Sequence, residues 1–105
     1  MAIKKGNAPK TISAKLDITG GGESNTISLV FHNRKPSEIR EKAKDLETSK
    51  DPFLPSLLLY LVKEWDTGYS LSIEGVLDME DERPGLSDAL IQGFHRVRRL
   101  ELEGN

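Results

Sequence analysis

Between Lys10 and Ile18 apolar and polar residues alternate, with Ile12, Ala14, Leu16 and Ile18 separated by Thr11, Ser13, Lys15 and Asp17. Successive strand side chains point to opposite faces, so this period predicts a half-buried strand. Ile27, Leu29 and Phe31 repeat the alternation from Thr26 to His32. Between them, Thr19-Gly20-Gly21-Gly22-Glu23-Ser24-Asn25 predicts a flexible connection, and the pair reads as an antiparallel hairpin with a long tip. The three glycines do not match a phosphate-cradling loop, because no Gly-Lys-Ser/Thr follows and the next element is a strand.

The period then lengthens to that of a helix. Pro36 and Ser37 mark a start, proline being suited to a first turn whose N–H has no intrahelical partner. Ile39, Ala43 and Leu46 form a thin apolar stripe on a charged helix in which Glu38 and Lys42 are spaced to pair and Arg40 and Lys44 to repel. Thr48-Ser49-Lys50-Asp51-Pro52 ends it, with Asp51 the expected cap of the next helix. That helix, about Phe53 to Trp65, is the most apolar segment, and Leu54, Leu57, Leu58, Leu61, Val62 and Trp65 share one face. Leu59 and Tyr60 flank this face, which leaves two readings: a second layer of the same fold covers them, or another chain does.

After Asp66-Thr67-Gly68 a short helix is expected with Ser72 as N-cap and Leu71 packing on Val76 as a hydrophobic staple. Ile73, Val76 and Leu77 would face inward, and Gly75 would weaken the helix by roughly 1 kcal/mol relative to alanine. The last helix is expected from Pro84 to about Leu102, with Leu86, Ala89, Leu90, Gly93, Val97 and Leu100 inside and Phe94 at the edge. Ile91, His95, Arg98 and Leu102 form a second, outward stripe mixing apolar and hydrogen-bonding groups, a mixture common at protein interfaces. The expected fold is α+β: an N-terminal antiparallel β-hairpin packed against about four helices, with residues 1–9 a loose arm and residues 10–103 one domain. Candidate protein-binding residues are Leu59, Tyr60, Ile91, His95, Arg98 and Leu102.

Composition narrows the chemistry. The 105 residues are 30% charged and 36% hydrophobic, enough for a modest core, and a net charge of −2 disfavours a protein devoted to neutralising nucleic acid or an anionic membrane. Without cysteine there is no disulfide, thiolate metal site or cysteine nucleophile, and the cytosol is the default compartment. The first nine residues hold no apolar h-region, and no run approaches the roughly 20 apolar residues a bilayer-spanning helix needs. Asp78, Glu80, Asp81 and Glu82 lack the ligand spacing and central glycine of a calcium loop and read as a solvated acidic turn. His32 and His95 have no nucleophile or metal-binding pattern nearby and read as surface histidines, so neither catalysis nor a cofactor is expected. Arg96, Arg98 and Arg99 are the one basic cluster, and a DNA-reading final helix is the main alternative function. The long acidic connection from Glu80 to Gly85 argues against it.

A strand ending Leu29-Val30-Phe31-His32-Asn33-Arg34, a charged helix opening Pro36-Ser37-Glu38, an apolar helix ending at Trp65, and a short helix followed by Pro84-Gly85 and a helix through Phe94 together resemble the tail assembly chaperones of long-tailed phages and prophages. The resemblance spans roughly residues 11 to 95 and lies in the order and spacing of packing signals. Gly75 and the glycine-rich tip depart from it. It implies a non-enzymatic protein of the bacterial cytoplasm, absent from the finished virion. Such a protein binds the tape-measure protein, keeps its apolar helices soluble and promotes assembly of the tail-tube protein. It also implies self-association, and in many members a longer product made by ribosomal frameshifting. A protein-interaction module without a chaperone role is the further alternative.

Overall fold

The computed structural model describes residues 2–102; Met1 of the arm and Glu103 at the expected domain boundary lie outside them. Strands β1 (Thr11–Gly20) and β2 (Glu23–His32) pair antiparallel without interruption from Thr11 opposite His32 to Gly20 opposite Glu23. The expected seven-residue tip is therefore only Gly21-Gly22, at φ of 59° and 86°. Two consecutive positive φ values make a tight turn whose twist matches that of the strands, and glycine adopts them without a Cβ clash. Glycine here shortens the connection instead of loosening it.

Helix α1 (Pro36–Glu47) begins with proline in its first turn, and the Glu38 carboxylate accepts the Lys35 N–H at 2.8 Å. That cap replaces the expected Glu38–Lys42 pair, and Lys42 lies over the Tyr60 ring instead. Helix α2 (Phe53–Leu61) is capped by Pro52, not Asp51; the Asp51 N–H is turned back to the Ser49 hydroxyl.

The apolar helix stops four residues before Trp65. Val62–Trp65 is strand β3, antiparallel to β2, which completes a sheet in the order β1-β2-β3. Val62 pairs with Phe31, Glu64 with Val30 and Trp65 with Leu29, so the ladder contains a bulge at Lys63. The extra residue puts Val62 and Trp65, three apart, on the same face of the strand. That spacing is also one helical turn, which is why the segment reads as helix from its pattern. Once β2 offers unpaired backbone groups along its second edge, a strand satisfies them and a further helical turn does not.

Helices α3 (Ile73–Glu82) and α4 (Leu86–Arg98) complete the α+β fold. The helices cover one face of the sheet. Leu16, Ile27, Leu29 and Phe31 meet Leu58 and Leu61 of α2, Val76 and Met79 of α3, and Leu86, Leu90 and Phe94 of α4 in one core. Phe31 and Phe94 pack edge to face with centroids 5.3 Å apart. The other face is polar, and Thr26 donates to Asp17 across it at 2.8 Å. Ser72 caps α3 as expected, its hydroxyl accepting the Gly75 N–H at 3.0 Å. Gly75 itself is buried, and a Cβ there would collide with the Ser70 backbone carbonyl. Glycine is thus demanded by packing, reversing the expectation that alanine would serve better. Leu77, expected inside, is 46% exposed, and Met79 takes the inner place.

Candidate interaction surface

The six candidate residues do not form one surface. Helix α2 packs against α1, α3, α4 and the sheet, and Leu59 and Tyr60 are half-buried against the core. Arg34 secures Tyr60 twice: its guanidinium stacks 4.0 Å from the ring centroid and its Nε–H donates to the Tyr60 carbonyl at 3.0 Å. Tyr60 is a packing residue beneath cationic side chains. Neighbouring elements of the same chain thus contact both residues, each of which stays partly exposed.

On α4 the outward stripe breaks at both ends. Ile91, expected outside, is 8% exposed and belongs to the core; α4 is packed by α2 and α3 as well as by β1, which widens its buried arc. Leu102 is fully exposed but lies beyond the end of α4 at Arg98, so helical spacing does not align it with His95. His95 and Arg98 remain together. The imidazole meets the Phe94 ring edge to face at 5.3 Å, and the Arg98 guanidinium lies over the same ring at 5.3 Å. Val97 and Leu100, expected inside, are instead exposed and join Leu102 at this end. Val97 lies in the final turn of α4, and Leu100 lies beyond its end. Apolar and cationic residues, most of them exposed, thus follow one another from His95 to Leu102.

Sequence reasoning missed a second organised region, the corner joining α3 to α4. The helix α4 starts at Leu86, not Pro84, with Gly85 at φ 94° as its N-cap. Glycine has no side chain to cap with, and Glu80 supplies one from α3: its carboxylate accepts the N–H groups of Gly85 at 2.5 Å and Ser87 at 3.1 Å. Burial pushes the Glu80 pKa up, but these two N–H groups and the Ser87 hydroxyl outweigh it and hold the carboxyl below its ordinary value. One member of the expected solvated acidic turn is therefore a helix cap. Its only sequence signal was a glutamate shortly before a Pro-Gly pair.

Arg83 ties the same corner to the hairpin tip, its Nε 3.1 Å from the Glu23 carboxylate and its Nη1 2.7 Å from that of Glu82. Tyr69 donates its hydroxyl to Glu82 and accepts from Arg83 at 2.5 Å. The hydrogen bonds from Arg83 and Asn25 hold Glu23 below its ordinary pKa. A groove of about 490 Å³ runs between tip and corner, lined by Ile18, Glu23, Tyr69, Arg83, Leu86 and Ala89. Its one guanidinium is already engaged by two carboxylates, so the groove presents no free cation to an anionic ligand. At the far end of β2, burial and the charges of Arg34 and Lys63 lower the His32 pKa, favouring the neutral ring.

Compared with family models, with curated proteins and with solved structures, the chain gives no match in any of the three. Among the described residues no helix is long and apolar enough to cross a membrane.

Proposed function

We propose that this chain is a phage or prophage tail assembly chaperone, a non-enzymatic protein that holds apolar helical segments of the tape-measure protein in solution while tail-tube subunits polymerise. The observation that carries the reading is the order of elements: a hairpin ending at His32, a charged helix from Pro36, an apolar helix, a short helix and a helix through Phe94. Trp65 closes a strand in place of the apolar helix, a departure from the layout on which the resemblance rests. The last turn of α4 and the residues after it add support, since Val97, Leu100 and Leu102 are exposed apolar side chains that a partner's helical segment can cover reversibly. Partner contact falls at this end and not at Leu59 or Tyr60.

The test is co-expression with the tape-measure protein of the same gene cluster, scoring soluble recovery and co-purification. A soluble complex that Val97→Glu with Leu100→Glu weakens, in a chain that still folds, is the expected result; absence of any complex rejects the reading. Leu59→Glu serves as the contrasting variant and lowers the thermal midpoint, because Leu59 packs against the core. The DNA-reading alternative draws little from α4. Arg99 lies beyond the helix and pairs with Glu101 at 2.7 Å, and Arg98 lies on Phe94. DNA binding would fall steeply with added salt, whereas an apolar complex would not.

A further inference from the structure

The sheet has two unlike edges. Strand β3 is four residues long and bulged, and shows Lys63 and Glu64 to solvent, devices that discourage further pairing. Strand β1 is long where β3 is short: it runs ten residues in unbroken register, without proline, bulge or inward-pointing charge, and its two outward charges, Lys15 and Asp17, are of opposite sign. A two-residue hairpin is closed by a hydrogen-bonded pair, here Gly20 and Glu23, so the even residues of β1 aim their backbone groups at β2. The Asn33 N–H on the Lys10 carbonyl, at 2.9 Å, continues the same parity at the other end. The odd residues from Thr11 to Thr19 therefore direct their N–H and C=O groups to the open edge.

We propose that two copies of this chain pair through β1, antiparallel about a two-fold axis at Leu16. Only odd residues have outward backbone groups, so the axis must fall opposite a single residue near mid-strand. Centred on Lys15 or on Asp17, the pairing sets like charges directly opposite each other. Centred on Leu16, it sets each Lys15 opposite Asp17 of the second copy, and Ser13 opposite Thr19. Opposite charges in cross-strand positions stabilise and like charges destabilise, so charge selects this register. On the inner face the same register joins Leu16 to Leu16 and Ala14 to Ile18, continuing the apolar layer. Asp17 is already held in place by the Thr26 hydroxyl.

The flank beneath the edge leaves room. Phe94 reaches Phe31 of β2 and Gly93 meets Leu16 of β1, so the side of α4 beyond Gly93 faces the open edge. It carries Ala89, Gln92 and Arg96, none of them a bulky apolar cover. The glycine tip of one copy comes to lie beside the start of β1 in the other, where it adds no side chain. This pairing needs only the geometry of β1 and is independent of the chaperone reading.

Sedimentation velocity of the full chain from micromolar to sub-millimolar concentration tests it. The wild-type chain is expected to dimerise. Lys15→Glu and Asp17→Lys each set like charges opposite each other twice per dimer and raise the dissociation constant about tenfold. The exchange Lys15→Asp with Asp17→Lys restores the opposite-charge pairs and brings it back to within about threefold of wild type. Ser13→Pro removes an outward N–H from an edge position that tolerates proline, and abolishes the dimer with the circular dichroism unchanged. A wild-type chain monomeric throughout, or single reversals that leave the dimer untouched, overturns the proposal. A monomer that still co-purifies with the tape-measure protein overturns the pairing alone, and a dimer that does not co-purify overturns the chaperone reading alone.

Discussion

The hairpin and the α3–α4 corner are held together in different ways. In the hairpin ten successive residue pairs repeat one ladder, turned alternately to the core and to solvent, so each pair adds a little and none is indispensable. Along α3 and at its corner with α4 four separate contacts each act once: the Ser72 cap and Gly75 against Ser70 at the start of α3, and the Glu80 carboxylate on Gly85 and Ser87 and Arg83 on Glu23 at the corner. A repeated pattern tolerates substitution, whereas a set of single contacts does not.

The contrast is tested most severely at Gly75. Gly75→Ala puts a methyl group into a backbone carbonyl, which cannot rotate away as a side chain would, and destabilises the fold by roughly 1–3 kcal/mol in urea unfolding. Gly93→Ala meets only the side chain of Leu16, most closely a terminal methyl group, and costs less. An equal loss at both positions would show that the first turn of α3 is no stiffer than the layer beneath β1.

A smaller effect is expected at Glu80. Glu80→Gln weakens the cap of α4 and costs about 1 kcal/mol at neutral pH. Because the folded-state pKa is depressed, the carboxylate contributes fully above its unfolded value near 4.5 and loses that contribution as pH falls through the lower folded value. Wild type and variant should therefore converge in stability below pH 4.5, and a gap that persists unchanged in acid would exclude the charge as its cause.

The smallest effect belongs to the hairpin. Thr26→Val removes the donor to Asp17 on the open face but keeps a β-branched side chain, and shifts stability by no more than about 0.5 kcal/mol. A loss as large as that of Glu80→Gln would mean that the hairpin, too, depends on single contacts.

The same division governs what was legible in the sequence. The inner faces of β1 and β2 follow from alternation, and the Ser72 cap from a local rule that needs only a few neighbouring residues. Strand β3 was hidden because its bulge gives Val62 and Trp65 a helical spacing, and the choice between helix and strand was made by the free edge of β2, more than thirty residues away in the chain. Ile91 was misplaced because a helical wheel shows direction but not how many neighbours surround the helix. Glu80 was read as one of a charged cluster because its partners are backbone N–H groups, and a sequence shows no backbone. Of the candidate interaction residues, His95 and Arg98 stand together at the surface, Leu59, Tyr60 and Ile91 are drawn into packing, and Leu102 lies past the helix that was to carry it.

Arg83 grips Glu23 across 60 residues of chain, and Phe94 covers Phe31 from slightly farther. During synthesis the hairpin therefore leaves the ribosome long before α4 exists to shield its apolar face. An isolated hairpin is marginal at best in water. The N-terminal strands must wait, and a chain cut short before Leu86 would expose Leu16, Ile27 and Phe31 together. Helix α4 is the element that turns a sticky intermediate into a closed core.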